Sequence, residues 1–345
     1  MLRLPRFHFH MPDSTREAAS ILAAEGPDAR VVAGGTDLWP NMKRRHQKPA
    51  TVVSLMSIRE LDGCDLTEPS EEARIGATTL LGDLVRSSAL RERFPALARA
   101  IASISSPPLR QMGTLGGNIC LDTRCTYYNQ TEDWRRAIDY CMKEDGSVCW
   151  VAPSSSRCWA HTASDSAPIL AALGARVRLQ SAEGERDLAL TELYRDDGID
   201  YLAKRPDEIV TDVLLPGASD SQTCQSSFWK LRRRGSIDFA VLSVAAAVWT
   251  DGKGIVSDAR IFLGAVGSRP VRVEGATEIL RGRSLTEDGI AEVAGLARQL
   301  ATPMDNTDFK AQWRGLMTAR YTEAALREIA GLETQILPPH HSLQP

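Results

Sequence analysis

The chain is predicted to adopt an α+β fold divided into more than one domain. Three observations carry that prediction. Its 345 residues exceed what one small domain with a single core usually holds. The N-terminal part alternates helix, turn and strand patterns. The C-terminal part places strand patterns first and helices last, the order of an α+β unit.

Ser14 with Glu17 forms a capping box ahead of the Ala18, Ile21 and Leu22 face, and Ala29 to Ala33 reads as a short apolar strand that Gly34-Gly35 interrupts. A second strand is expected at Thr51 to Leu55. A third, Ala73 to Ala77, feeds a helix that begins near Thr79 and carries Leu80, Leu81, Leu84 and Val85. Pro107, Pro108, Gly113, Gly116 and Gly117 make Ser105 to Gly117 a loop of tight turns. Residues 121–159 show neither helical nor strand period and mix cysteines with aromatic and charged side chains, the mark of an inserted loop. The ordinary pattern resumes at Ala163 to Leu179, a helix ended at Gly174 and followed by a strand, and strands continue to Leu215-Pro216. Strands at Ser227 to Leu231, Val241 to Thr250 and Ala259 to Gly264 then precede two helices, one capped by Ser284 with Glu287, the other spanning Phe309 to Ile329. The tail from Pro338 is expected to be mobile.

An apolar fraction of 43%, a charged fraction of 25% and a net charge of -3 are ordinary for a soluble globular chain. No basic face points to nucleic acid. Pro5, His8, His10, Asp13 and Arg16 interrupt the N-terminal apolar positions, so no signal-peptide core is expected. The longest apolar run, Phe239 to Trp249, falls short of the roughly 20 residues a membrane helix needs. These features predict a cytoplasmic protein with no membrane span, whose seven cysteines stay reduced and form no disulfide framework.

Two glycine segments stand out. Val32-Ala33-Gly34-Gly35-Thr36-Asp37-Leu38 follows a strand directly, and consecutive glycines let backbone N–H groups approach a phosphate with no Cβ in the way. A glycine pair after a strand also makes an ordinary turn. Leu109 to Ile119 supplies a second nest at Gly113, Gly116 and Gly117, with the Thr114 hydroxyl and the Asn118 amide beside it. Neither segment fits the Gly-x-Gly-x-x-Gly dinucleotide pattern or the phosphate loop ending Gly-Lys-Ser/Thr.

Together the segments resemble the FAD-binding subunits of the xanthine oxidase and carbon monoxide dehydrogenase family. The pattern there is Ala-Gly-Gly-Thr-Asp-Leu, then Gly-Thr-x-Gly-Gly-Asn-Ile, then acidic-x-Ala-Pro before a Leu-Gly-Ala turn. Here these are Ala33 to Leu38, Gly113 to Ile119, and Asp165-Ser166-Ala167-Pro168 leading to Leu173-Gly174-Ala175. Lys230-Leu231-Arg232, Ile237-Asp238-Phe239-Ala240 and Leu263-Gly264 with Arg269-Pro270-Val271-Arg272 extend the likeness over nearly the whole chain. The resemblance implies a two-part FAD-binding domain of the molybdenum-hydroxylase flavoprotein type over residues 1–222, divided into 1–56 and 57–222. A C-terminal α+β domain over 223–332 and a tail over 333–345 would follow. It further implies an FAD pyrophosphate held by Ala33, Gly34, Gly35, Thr36, Asp37 and Leu38 on one side and Gly113, Thr114, Gly116, Gly117 and Asn118 on the other. Asp165 would contact the ribityl or adenosine part, or else cap a helix, and Lys230 or Asp238 would lie near the flavin. Gln111-Met112 stands where relatives commonly carry Arg-Asn, which leaves Arg110 without an assigned ligand role.

The insertion at 121–159 departs from most of that family, in which the asparagine loop runs into the acidic segment after a few residues. Inside it lie Cys125, Cys141, Cys149 and Cys158. Four thiolates on one loop can hold a tetrahedral zinc or a 4Fe-4S cluster, and their spacing does not choose between them. Thr123-Arg124-Cys125-Thr126-Tyr127-Tyr128-Asn129-Gln130 and the cysteines that follow resemble the β subunits of the 4-hydroxybenzoyl-CoA reductases. That likeness implies a 4Fe-4S cluster beside the FAD and no catalytic residue on this chain. Its partners would be a molybdenum-pterin large subunit, a small subunit with two 2Fe-2S clusters and a ferredoxin-like donor, in a dimer of heterotrimers that removes the phenolic hydroxyl reductively. Two other readings remain: the FAD subunit of another molybdenum hydroxylase, acting on a purine, aldehyde or heteroaromatic, and a zinc-binding scaffold. Cys120, Cys64 and Cys224 are read as small buried apolar residues. The aromatic residues Tyr127, Tyr128, Trp134, Tyr140, Trp150 and Trp159 are expected to order the insertion, which is treated as separable from the flavin site.

Overall fold

Three short segments build a first, parallel sheet of strand β1 (His8–His10), strand β2 (Ala29–Val32) and strand β3 (Thr51–Ser54), in the order β1-β3-β2, with the central β3 buried throughout. The computed structural model describes residues 3–219 and 221–334; the tail expected from Pro338 lies outside the described residues. Helix α1 (Thr15–Glu25) begins where the capping box predicts, with the Ser14 hydroxyl accepting the Glu17 N–H at 3.2 Å. The Glu17 carboxylate returns to the N–H of Asp13, one residue further out than the box requires. Ala18, Ala19 and Leu22 of α1 pack on Val53, Ile58 and Ile209. Helix α2 (Leu38–Lys43) follows β2 after a five-residue turn, residues 33–37.

A second, antiparallel sheet runs in the order β4-β5-β8-β6-β7. Its strands are β4 (Cys64–Asp65), β5 (Ala73–Gly76), β6 (Arg176–Gln180), β7 (Glu185–Ala189) and β8 (Ile209–Leu215). Between β5 and β6 lie helices α3 (Leu81–Arg86), α4 (Ser88–Arg93), α5 (Pro95–Ala102), α6 (Pro107–Arg110), α7 (Leu115–Ile119), α8 (Glu132–Ala137) and α9 (Ser166–Ala172). Two of these, α6 and α7, correct the expectation of a plain loop over Ser105 to Gly117. Pro107 and Pro108 occupy the first helical positions, where proline lacks only a donor that has no partner anyway.

The third sheet is antiparallel, of order β12-β11-β10-β9, with β9 (Thr223–Leu231), β10 (Leu242–Thr250), β11 (Val256–Gly264) and β12 (Val271–Arg272). Residues 242–248 of β10 are buried without alternation because both faces are covered. Ala245 and Ala247 join the core made by Leu97, Ile101 and Ile169 of α5 and α9. Val244, Ala246 and Val248 face the C-terminal helices α10 (Ala276–Leu280), α11 (Glu287–Leu300) and α12 (Ala311–Ile329), through Val293, Ala297 and Leu326. The cap of α11 is Thr286, whose hydroxyl accepts the Gly289 N–H at 3.4 Å, and not Ser284, which lies two residues before the cap. Cys64 and Cys224 are exposed, against the expectation that both are buried. Among the described residues no helix is long and apolar enough to cross a membrane.

The insertion is clasped from three sides. Arg124 and His161 pair through their backbones at its two ends, each N–H donating to the other's carbonyl at 2.8 Å. From the C-terminal domain, the Asn306 carbonyl accepts the Thr126 N–H at 2.8 Å and the Asn306 amide donates to the Trp159 carbonyl at 2.6 Å. From the N-terminal part, the His46 ring stacks on Tyr128 at 4.5 Å.

Burial, the largest cause, takes both His46 and His161 from 6.5 down to about 4. Their unfolded rings bind protons as pH falls through 6.5, while the folded rings resist until about pH 4. Stability from this source is therefore complete above pH 6.5 and lost progressively between pH 6.5 and 4, by about 2 kcal/mol per ring at pH 5. Urea midpoints at pH 7.5 and pH 5 should differ less in His46→Phe than in the parent protein. An equal drop in both would show that His46 does not titrate this way.

Candidate cofactor-binding site

Strand β2 ends at Val32 and the chain turns through Ala33-Gly34-Gly35-Thr36-Asp37 into α2. Gly35 has φ +71°, a conformation side chains disfavour. Gly34 lies against the second glycine segment: a Cβ there would stand 1.5 Å from the Met112 carbonyl oxygen. Two loops remote in sequence thus form one surface, lining a cavity of 380 Å³. Among the described residues, the backbone N–H groups of Gly34, Gly35, Thr36, Asp37 and Leu38 donate to no protein acceptor. Five successive free donors on a cavity wall are an anion site suited to a pyrophosphate.

The second segment works differently from the nest expected of it. The Thr114 hydroxyl caps α7 by accepting the Gly117 N–H at 3.1 Å. The N–H groups of Gly113, Leu115 and Gly116 donate to the carbonyls of Leu109, Thr79 and Ala77. Gly116 serves packing, since a Cβ would stand 2.6 Å from the Ala77 Cβ and 2.7 Å from its carbonyl oxygen. Gly117 has more room, its nearest neighbour being the Thr114 Oγ1 at 3.0 Å. Asn118 lines the cavity: its Oδ1 accepts the hydroxyls of Ser164 at 2.9 Å and Ser166 at 2.6 Å, which orients its side chain in the cavity wall.

Asp165 lines the same cavity. Its Oδ2 accepts the Lys230 ammonium at 2.6 Å, while its buried Oδ1 has no partner. Burial is the largest influence on this carboxyl and raises its pKa, opposed by Lys230. The helix-cap alternative fails, because Asp165 makes no side-chain bond to α9 and the Ser164 hydroxyl accepts the Ala167 N–H at 3.1 Å instead. A buried carboxylate oxygen with no donor fits a hydroxyl of a ribityl or ribose group. Lys230 sits behind Asp165 and off the cavity wall, its ammonium also bonded to the carbonyls of Ser103 and Asp238. The lysine expected beside the flavin thus stands one side chain back from the cavity, behind Asp165. Asp238 itself reaches the cavity with Ile237 and Phe239, and so does Arg110. Gln47, Thr78, Asp122, Tyr201 and Lys204 line it as well. Sequence reasoning missed these five because none belongs to a motif.

A second cavity opens inside the insertion, and Cys125, Cys141, Cys149 and Cys158 all line it, each buried. Backbone N–H groups two residues on reach three of the sulfurs: Tyr127 to Cys125, Lys143 to Cys141, and Ala160 to Cys158, the last at 3.4 Å. Burial pushes the Cys125 thiol up to about 12 and that of Cys158 to about 11. Among the described residues no three His, Cys, Asp or Glu side chains gather as they would around one metal ion. A 4Fe-4S cube instead binds its four thiolates to four separate irons and needs no such common centre. Cys120 stands apart from this group, on the flavin-side cavity.

The insertion is not separable from the first cavity. The Arg124 guanidinium, beside Cys125, forms an ion pair with Asp37 of the glycine loop and donates to the Asn41 Oδ1 at 3.1 Å. It also lies 5.0 Å from the Phe239 ring. Excising the insertion from Asp122 onward would remove a support of the loop itself.

Residues 5–218 match the family described as the FAD binding domain in molybdopterin dehydrogenase, and residues 226–329 match the CO dehydrogenase flavoprotein C-terminal domain. The carbon monoxide dehydrogenase medium chain of Hydrogenophaga pseudoflava is 26% identical, over 93% of this chain and 97% of that one. The aldehyde oxidoreductase FAD-binding subunit PaoB of Escherichia coli K12 is 31% identical, over 76% and 82%. A solved carbon monoxide dehydrogenase from Hydrogenophaga pseudoflava has the same fold, with a TM-score of 0.77 at 25% identity over 94% of this chain and 97% of that one. With the two loops converging on one cavity and both family regions in register with them, the chain belongs to the FAD-binding medium subunits of the molybdenum hydroxylase family.

Proposed function

We propose that this chain is the electron-transfer flavoprotein subunit of a heteromeric molybdenum enzyme, with FAD in the 380 Å³ cavity and substrate chemistry on a partner subunit. The observation that carries this reading is the run of five unpartnered N–H groups from Gly34 to Leu38. When bound, FAD supplies the exchange between two-electron and one-electron transfer. The chain's own residues hold it in place. The glycine loop donates to the pyrophosphate, Asp165 Oδ1 accepts from a hydroxyl, and Lys230, bonded to Asp165 Oδ2 at 2.6 Å, holds that side chain in place. A molybdenum-pterin large subunit, a small subunit with two 2Fe-2S clusters and a dimer of heterotrimers are supported by family membership.

For the insertion, the reading is a 4Fe-4S cluster on Cys125, Cys141, Cys149 and Cys158, serving as a port for a one-electron donor of ferredoxin type. Its support is the convergence of all four buried sulfurs on one cavity and the N–H groups aimed at three of them. The matched families describe flavin domains, so the cluster rests on the insertion alone. Relatives named for carbon monoxide, aldehyde and xanthine favour a molybdenum hydroxylase subunit in the broad sense over a 4-hydroxybenzoyl-CoA reductase. The narrower reading draws its support from the cysteines and from Thr123 to Gln130.

Flavin, iron and acid-labile sulfide measured on the purified chain test both parts. Bound FAD with about four irons and four sulfides per chain is expected, and Cys149→Ser should lose most of the iron and keep the FAD. Flavin alone rejects the cluster, zinc in its place supports a scaffold, and absence of flavin rejects the main reading.

A further inference from the structure

The two cavities are bridged by a pair of side chains in contact. Asp122 lines the flavin-side cavity and Lys143 lines the cysteine cavity. Both side chains have little exposure, 7% for Asp122 and 6% for Lys143, and the Lys143 Nζ donates to the Asp122 Oδ1 at 2.8 Å. The same ammonium donates to the Thr123 hydroxyl at 2.8 Å and to the Gly198 carbonyl at 2.6 Å, so its position is fully determined. It sits between two aromatic rings, 4.9 Å from the centre of Tyr128 on the cysteine side and 5.5 Å from that of Tyr201 on the flavin side. The other Asp122 oxygen accepts the Tyr128 hydroxyl at 3.2 Å and the Gln47 amide at 3.1 Å. Gly198 lies against the cysteines in turn, for a Cβ there would stand 2.7 Å from the Cys158 sulfur.

A buried charge acts through a low effective dielectric and is screened little by salt. The cation lies toward the cysteines and the anion toward the flavin. A cation stabilises the reduced, more negative form of a cluster, and an anion disfavours added charge on a flavin. Net charge and bonds near the sulfurs are established levers on iron–sulfur potentials.

We propose that Lys143 and Asp122 form a fixed dipole between the two cavities that sets the order of their redox potentials, raising that of the cysteine site and lowering that of the flavin. This rests on the reading that the four cysteines hold a cluster. Lys143 and Asp122 are positioning residues in this role: neither ligates iron, and the pair acts through the charge it presents to each cavity.

Redox titration of the intact protein, following flavin and cluster by their separate absorbance, tests the dipole. Lys143→Met should lower the reduced-to-oxidised ratio of the cluster at fixed potential by about tenfold, which for one electron is 59 mV. Asp122→Asn should move the flavin the opposite way, toward reduction, and Lys143→Arg should restore the cluster ratio. A residue that merely supported the fold would cost iron or FAD without producing shifts of opposite sign. If Lys143→Met loses its iron, the flavin arm decides: Asp122→Asn placed in Cys149→Ser should still favour flavin reduction. An unchanged flavin ratio there overturns the proposal. A parent protein with FAD and no iron removes the cluster reading and the dipole together. Iron in every variant with unmoved potentials removes the dipole alone.

Discussion

Replacing Gly34 by Val should yield a folded protein that carries no flavin. The Cα of Gly34 rests against the second glycine segment, and an added Cβ would come within 1.5 Å of the Met112 carbonyl oxygen and 2.4 Å of its carbon. Backbone cannot rotate away as a side chain can, so one loop must leave the other. That puts the cost in the exceptional range above about 4 kcal/mol, borne where the pyrophosphate donors are lined up. A graded series separates packing from a general loss of stability. Gly116→Ala, facing Ala77 at 2.6 Å, should lose a large part of its flavin, while Gly117→Ala, facing only a hydroxyl at 3.0 Å, should keep most of it. Flavin released on denaturation, measured per mole of protein, decides the order. Full flavin in Gly34→Val would mean that these loops do not form the site.

The opposite separation is expected from Glu144→Ala. Glu144 forms an ion pair with Arg135 inside the insertion, with side-chain exposures of only 8% and 1%. The guanidinium also donates to the Arg44 carbonyl at 2.7 Å, and its Nε has no partner. Removing the carboxylate leaves a buried cation uncompensated, at a cost of about 3–5 kcal/mol. The Glu144 N–H donates to the Cys141 carbonyl at 2.8 Å, so the turn carrying that cysteine loosens first. The expected protein has FAD near the parent level and new protease cleavage within residues 121–159. Glu144→Gln, which keeps volume and one acceptor, should lose less. Protease resistance at the parent level in Glu144→Ala would show that this pair does not hold the insertion together.

Much of the candidate site was legible in the chain itself. Gly34-Gly35 after an apolar strand, Gly113 to Asn118, the Asp165 segment and four clustered cysteines are local signals, because they follow from what a backbone without Cβ or a thiol can do. The α+β order was legible for a similar reason: strand and helix periods are written in neighbouring residues. What the second segment does was not legible. Glycines that read as a phosphate nest proved to be the first turn of α7, because only contact with Ala77 and the cap from Thr114 reveal that their N–H groups are already engaged. Lys230 behind Asp165, Arg124 paired with Asp37 and Lys143 paired with Asp122 are long-range choices as well. In each, a charged side chain buried by the fold must find its counterion. Which counterion that is depends on the elements the fold brings together, so the sequence alone determined the ligand-bearing segments while the tertiary structure decided which groups stay free for the cofactors and which are taken up in holding them.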